Sequence, residues 1–219
     1  MADADSLVVF ARFPRPGLVK TRLAKALGDA GAAELYDAFL QDLVRRFAHV
    51  PYRVRWRVAP PQGSFASHFG LDPTSCVEQK GRDLGQRMHH AFAEELAEAP
   101  GRCVLIGSDT PHLPLARIDA AFAALEEADL VLGPARDGGY YLIGMREAYD
   151  VFSSITWSTE LVLSETERRA CSLDLRVEYI EEDFDVDESR DLAALRLHLE
   201  GDSGLCPATM RALASLADR

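Results

Sequence analysis

The amino-acid sequence predicts an α/β fold, a three-layer sandwich in which helices cover both faces of a mostly parallel mixed sheet. Short apolar runs at 7–11 and 103–107 have the length and character of buried strands. Stripes of helical spacing stand between such runs, among them Leu35, Phe39, Leu43 and Phe47, then Leu84, Met88, Phe92 and Leu96. The two patterns alternate along most of the 219 residues, with no internal repeat or low-complexity tract. One domain over 1–219 is expected, with a core at 7–200 and a helical tail at 205–219.

The first strand, 7–11, ends in a Pro/Gly loop. Residues 18–27 then look helical, with Gly28 as the stop. The Leu35 stripe marks the second helix. Residues 52–58 alternate strictly, Tyr52, Val54, Trp56 and Val58 against Arg53, Arg55 and Arg57, so a strand with one face in water is expected. The Leu84 stripe precedes strand 103–107, and Ile118, Phe122 and Leu125 mark the next helix. Strands at 130–132 and 140–145 flank the loop 133–139. A helix near 159–170, a strand near 176–180, a helix at 191–199 capped by Ser189 and a short helix at 209–217 complete the chain.

Thirty-five acidic residues outnumber 24 basic ones, for a net charge of -11. That balance argues against a nucleic-acid partner, which needs a basic face. The arginine row at 53–57 is read as a solvated strand face for the same reason. A nucleotide ligand is not opposed, because a few local cations and a metal neutralise a diphosphate. The four cysteines form no CxxC pair, so a zinc knuckle is not expected, and free thiols in a reducing cytoplasm are. The N-terminal MADADS has neither a basic n-region nor a long apolar h-region, so no signal peptide is expected. No apolar run approaches the roughly 20 residues of a membrane span, so no membrane partner is expected.

In sheets of this kind, ligands bind beyond the carboxyl ends of the strands. After the first strand come Arg12, Arg15, Lys20 and Arg22, with Pro14, Pro16 and Gly17 shaping the loop and a helix start behind it. Together these make a phosphate cradle, or else a solvated basic helix start. Neither GxxxxGK[ST] nor GxGxxG is present. After strand 103–107 stand Ser108 and Asp109, and a lone carboxylate there suits a hard cation or caps the helix near Pro114. His112 reads as structural. Asp137-Gly138 is a hairpin signal, while Gly138 and Gly139 also permit close approach of a ligand. Asp187 is a helix cap or a second acid meeting Asp109 across the sheet edge. Gln79, Gly81 and Gly85 receive a base or sugar, or form a plain turn and helix start.

These motifs in this order resemble the nucleotide-diphospho-sugar transferase superfamily, GT-A-like and Rossmann-like. The nearer resemblance is to bacterial glycosyltransferases associated with radical-SAM/selenodomain proteins and arsenosugar biosynthesis. It runs over 7–195, on FARFPRPGLVKTRL at 10–23, QKGRDLGQRM at 79–88, LIGSDTPHL at 105–113, GPARDGGYYLIG at 133–144 and ITWST at 155–159. Related nucleotidyltransferases, which activate phospholactate or act on the molybdenum cofactor, carry a KxRL element resembling 20–23 and an acidic motif resembling 185–187. The resemblance implies that Asp109 and Asp187 hold Mg²⁺ or Mn²⁺ and that Lys20 and Arg22 hold phosphates. Two features depart from the pattern: Phe13-Pro14-Arg15-Pro16-Gly17 replaces a glycine-rich loop, and Asp109 stands alone rather than in a DxD.

The expected function is metal-dependent glycosyl transfer from a nucleotide sugar to a small-molecule acceptor, with Asp137 as a base for the acceptor hydroxyl. The alternative is nucleotidyl transfer from an NTP to a phosphorylated small molecule with release of pyrophosphate. A non-catalytic nucleotide-binding protein is the third reading.

Overall fold

The computed structural model describes residues 5–60, 64–201 and 204–217. The acidic start read above as no signal peptide lies, for residues 1–4, outside the described residues.

Seven strands form one sheet: β1 (Ser6–Arg12), β2 (Arg53–Ala59), β3 (Cys76–Glu78), β4 (Cys103–Gly107), β5 (Leu130–Pro134), β6 (Tyr140–Met145) and β7 (Val177–Tyr179). Their spatial order is β3-β2-β1-β4-β6-β5-β7. Only β6 runs against its neighbours, β4 and β5; every other pairing is parallel. The helices are α1 (Ala24–Phe47), α2 (Phe65–Phe69), α3 (Leu84–Glu98), α4 (Leu115–Ala124), α5 (Val162–Ser172), α6 (Ser189–Glu200) and α7 (Pro207–Ala217).

Successive residues of a strand face opposite ways, and β1 divides its apolar side chains accordingly. Leu7, Val9 and Ala11 enter a core shared with α1, α4, α6 and α7. Val8 enters a second core with Met88 and Phe92 of α3 and Ala170 of α5. The fold is therefore the three-layer α/β sandwich that the alternating pattern predicts.

Four local expectations are corrected. Residues 18–22 are turn rather than helix; helical backbone begins at Ala24 and breaks at Gly28 (φ 71°, ψ 163°), as the sequence predicts, and a second helical stretch resumes directly after it, so that α1 is two helices joined across a kink. Glu188, not Ser189, caps α6, in a reciprocal capping box with Asp191. The short β3 and α2 carry too few apolar positions for a period to register. The wet face of β2 is the largest correction. Arg57 is only 3% exposed, and Arg53, Arg55 and Arg57 are covered by Glu94, Glu95 and Glu98 of α3. The arginine row faces glutamates one layer away, and strand alternation by itself cannot distinguish that layer from water.

All four cysteines are free. Among the described residues no helix is long and apolar enough to cross a membrane.

Candidate active site

The chain leaves β1 toward β2 and β3 on one side of it, yet β4 lies on the other side. The carboxyl ends of β1 and β4 thus flank a topological switch point, where open α/β sheets form a crevice. Tyr36 of α1 spans the base of this crevice. Its hydroxyl accepts the Arg12 backbone N–H at 3.0 Å and lies 2.7 Å from Ser108 Oγ. Burial, and after it the charge of Asp109, pushes the Tyr36 phenol up to about 12, so it stays protonated at neutral pH. Ser108 is buried beneath it and faces inward.

The loop after β1 folds back through a turn in which Leu18 N–H donates to Arg15 O at 3.1 Å. Pro16 sets the first corner and Gly17, at φ 77°, supplies the left-handed second one, the type II pattern. The returning segment delivers Lys20 in a left-handed conformation, φ 47°. Its ammonium lies 2.6 Å from Asp109 Oδ1, 2.7 Å from Asp187 Oδ1 and 2.8 Å from Val186 O. Burial pulls this ammonium down, but the two aspartates outweigh burial and hold it above the ordinary lysine value.

The late acidic segment reaches Asp109 by backbone as well as by charge. Val186 N–H donates to Asp109 O at 2.8 Å, and Thr110 Oγ1 donates to Asp185 Oδ1 at 2.6 Å. Desolvation, followed by repulsion from Asp109, pushes Asp185 up to about 7 despite that hydrogen bond. The Asp191 carboxylate takes the N–H groups of Asp187 and Glu188, which seats Asp187 at the positive end of α6. Two carboxylates, each 42% exposed at the side chain, therefore converge on one cationic point, with the ammonium standing where a cation would. Hard oxygen donors in this number suit Mg²⁺ or Mn²⁺, which takes one or two carboxylates and completes its shell with phosphate and water. Among the described residues no group of three or more His, Cys, Asp or Glu side chains is arranged to hold a metal unaided.

In the segment after β1, Arg12, Arg15 and Arg22 are exposed, and the Arg15 guanidinium lies over the Phe13 ring at 5.4 Å. Arg22 lies 3.9 Å from Glu188, and Pro14 is half-buried beside Phe13. The other residues singled out from the sequence are engaged within the protein. Gln79 is buried, and its amide donates to Arg57 O at 2.7 Å and Ala11 O at 3.3 Å, tying β3 to the ends of β2 and β1. The close approaches at Gly81, Gly85 and Gly138 are made by the chain itself. A Cβ there would fall 2.7 Å from Arg87 N, 2.7 Å from the Trp157 ring and 2.3 Å from Glu160 O, respectively. Asp137 is exposed at the β5–β6 turn, where its Oδ1 accepts the Gly139 N–H at 3.0 Å.

His112 is structural. It is fully buried, stacked on Phe184 at 4.2 Å, with Nε2 2.9 Å from Asp183 Oδ1. Burial pushes Asp183 up, but His112 and the Phe184 N–H outweigh it and hold the carboxyl below its ordinary value. Such a group stabilises the fold above roughly pH 4, the unfolded value, and loses that contribution as pH falls through the lower folded value. Asp183→Asn is expected to flatten the acid limb of melting temperature against pH. An unchanged limb would show that the pair does not govern acid unfolding.

Tyr36, Thr110 and Asp185 were not singled out from the sequence as site residues. The signal for Asp185 was its place two residues before Asp187. Tyr36, next to Leu35 of an apolar stripe, carried none. A cleft of about 420 Å³ lies between the start of α3 and the 150–157 segment, with His89, Asp150, Ser153 and Trp157 in its wall and no lysine or arginine among its lining residues.

No curated protein matches the chain. A solved structure from Desulfovibrio desulfuricans G20, provisionally described as a nucleotide-diphospho-sugar transferase, superposes with a TM-score of 0.87 at 31% identity, covering 98% of this chain and 97% of that one. The inositol-1-phosphate CTP transferase of T. maritima gives 0.52 at 16%, covering 93% and 98%. A cytidylyltransferase from Leptospira borgpetersenii gives 0.59 at 12%, covering 99% and 94%. These last two likenesses are of fold alone. A family model described as "uncharacterized protein conserved in bacteria" (DUF2064) matches residues 44–159, more than half of the chain. On that match, this chain belongs to the DUF2064 family.

Proposed function

We propose that this protein is a metal-dependent transferase that takes a nucleotide-sugar donor at the β1–β4 crevice and moves the sugar to a small-molecule acceptor. The observation that carries this reading is the meeting of Asp109, Asp187 and Lys20 at the switch point, with Arg12, Arg15 and Arg22 exposed in the segment that follows β1. Mg²⁺ or Mn²⁺ held by Asp109 and Asp187 would neutralise the diphosphate of the donor and its departing nucleotide. Arg12, Arg22 and the loop backbone around Gly17 would bind phosphate oxygens, and bidentate guanidinium contacts would orient them. Asp137, exposed at its turn, is the candidate base for an acceptor hydroxyl.

The provisional description of the Desulfovibrio relative supports the sugar reading, as does the sequence resemblance to radical-SAM- and arsenosugar-associated glycosyltransferases. The second reading, nucleotidyl transfer, draws on the fold shared with the CTP transferase of T. maritima. Four free thiols fit a reducing compartment such as the cytoplasm.

The two readings differ in product. Incubation with a panel of nucleotide sugars, Mn²⁺ and hydroxylated acceptors is expected to release a nucleoside diphosphate. Pyrophosphate released from an NTP in the presence of a phosphorylated acceptor would replace this reading with the second. Absence of both products, with no nucleotide-dependent thermal shift, would overturn both.

A further inference from the structure

The point between Asp109 and Asp187 is already filled by a cation belonging to the chain. The Lys20 ammonium has three N–H donors, and Asp109, Asp187 and Val186 O provide three acceptors within 2.8 Å. The side chain is 4% exposed, and its Nζ lies 5.9 Å from the ring centroids of both Tyr36 and Phe39. The left-handed backbone of Lys20 is one that L side chains adopt at a cost, so the contacts of the side chain hold the segment in place.

A bare divalent ion entering here meets two obstacles. Like charge repels it, because the ammonium sits between the carboxylates it needs. If it displaces the ammonium, it strands a positive charge beside two aromatic rings, and an unpaired charge in a desolvated place is costly. A phosphate oxygen arriving with the ion removes both obstacles. It offers the ammonium a new acceptor and gives the ion ligands that two carboxylates do not supply.

We propose that Lys20 is a tethered occupant of the cation position, so that the site admits a divalent ion only together with a di- or triphosphate that takes over the ammonium. The ligand is then the metal–polyphosphate chelate, not the free ion followed by the nucleotide. This rests on the metal and nucleotide assignments proposed above and adds the order in which they are met. Metal and phosphate become positively coupled through one side chain, and such coupling is reciprocal.

The chain has only three lysines, Lys20, Lys25 and Lys80, and the other two are exposed, so Lys20 can be followed directly. In wild-type protein with ¹³C-labelled lysine, Mg²⁺ alone is expected to leave the Lys20 signal in place, while Mg²⁺ with inorganic pyrophosphate moves it. A Lys20 signal shifted by Mg²⁺ alone would overturn the proposal, as would one unmoved by both. In parallel, Mn²⁺ titration followed by electron paramagnetic resonance is expected to show that Lys20→Met binds free Mn²⁺ about tenfold or more tightly than wild type, within the usual span of coupling between two sites. Equal or weaker binding by Lys20→Met overturns the tethered occupant and leaves the metal site standing. If neither protein holds Mn²⁺, with or without pyrophosphate, the metal assignment falls as well. The lysine spectrum uses unaltered protein, so it decides the matter even if Lys20→Met does not fold.

Discussion

Asp109→Asn is expected to lower kcat/KM for the transfer reaction by about a thousandfold. The amide has nearly the size of the carboxylate and can still accept a hydrogen bond from Lys20 through Oδ1, so the local geometry stays while one negative charge goes. Asp187 alone would then face both the ammonium and any arriving metal. A metal acting on developing negative charge supplies several kcal/mol of transition-state stabilisation. Each 1.36 kcal/mol is a factor of ten, so losing about 4 kcal/mol gives the expected drop. Steady-state kinetics with saturating Mn²⁺, checked against melting temperature to show that the fold survives, measures it. Turnover within tenfold of wild type would remove Asp109 from the metal site.

Glu95→Ala is expected to have the largest effect on stability among single changes outside the site. Glu95 is 1% exposed and accepts from Arg57 at 2.7 Å and from Arg53 at 2.8 Å, with Arg55 Nε at 3.5 Å. Removing it leaves three guanidinium groups beneath α3 with only the more exposed Glu94 and Glu98 to answer them. Breaking a buried pair from one side costs about 3–5 kcal/mol, because the partner charge stays behind in a poorly solvated place. For a chain of this size, that is a fall in Tm on the order of 10 °C. Glu98→Ala is the control: its side chain is 55% exposed, and exposed pairs contribute about 1 kcal/mol or less. Equal urea midpoints for the two variants would mean that α3 does not desolvate the arginine row. The network is neutral in itself, three glutamates against three arginines, so the whole excess behind the net charge of -11 is carried by other residues.

Much of this molecule is legible in the linear sequence because the information is local. A buried parallel strand is an apolar run, and 103–107 shows it; a helix against a sheet is a stripe, and Met88 and Phe92 show it, although Leu84 at the head of the same stripe is exposed. The acids and bases that meet at the crevice stand just after strands or just before helices, where such sheets bind ligands. Lys20, Asp109 and Asp187 could therefore be named one by one.

The place of Lys20 between the two acids could not. Lys20 and Asp187 are 167 positions apart, and nothing between them says that the ammonium is enclosed by the carboxylates rather than held out toward solvent. The same limit applies to the arginine row, which alternates as a wet face does and is dry because α3 happens to present glutamates to it. Gln79, Ser108, Gly85 and Gly138 had the residue types of ligand contacts, yet their polar groups and open space are taken up by the protein. The sequence by itself determined which elements form and which charges lie at their ends, because period and loop chemistry act over a few neighbouring residues. Which charge neutralises which was decided only by the tertiary structure, because Coulomb energy and desolvation depend on distance and burial in space, which separation along the chain does not encode.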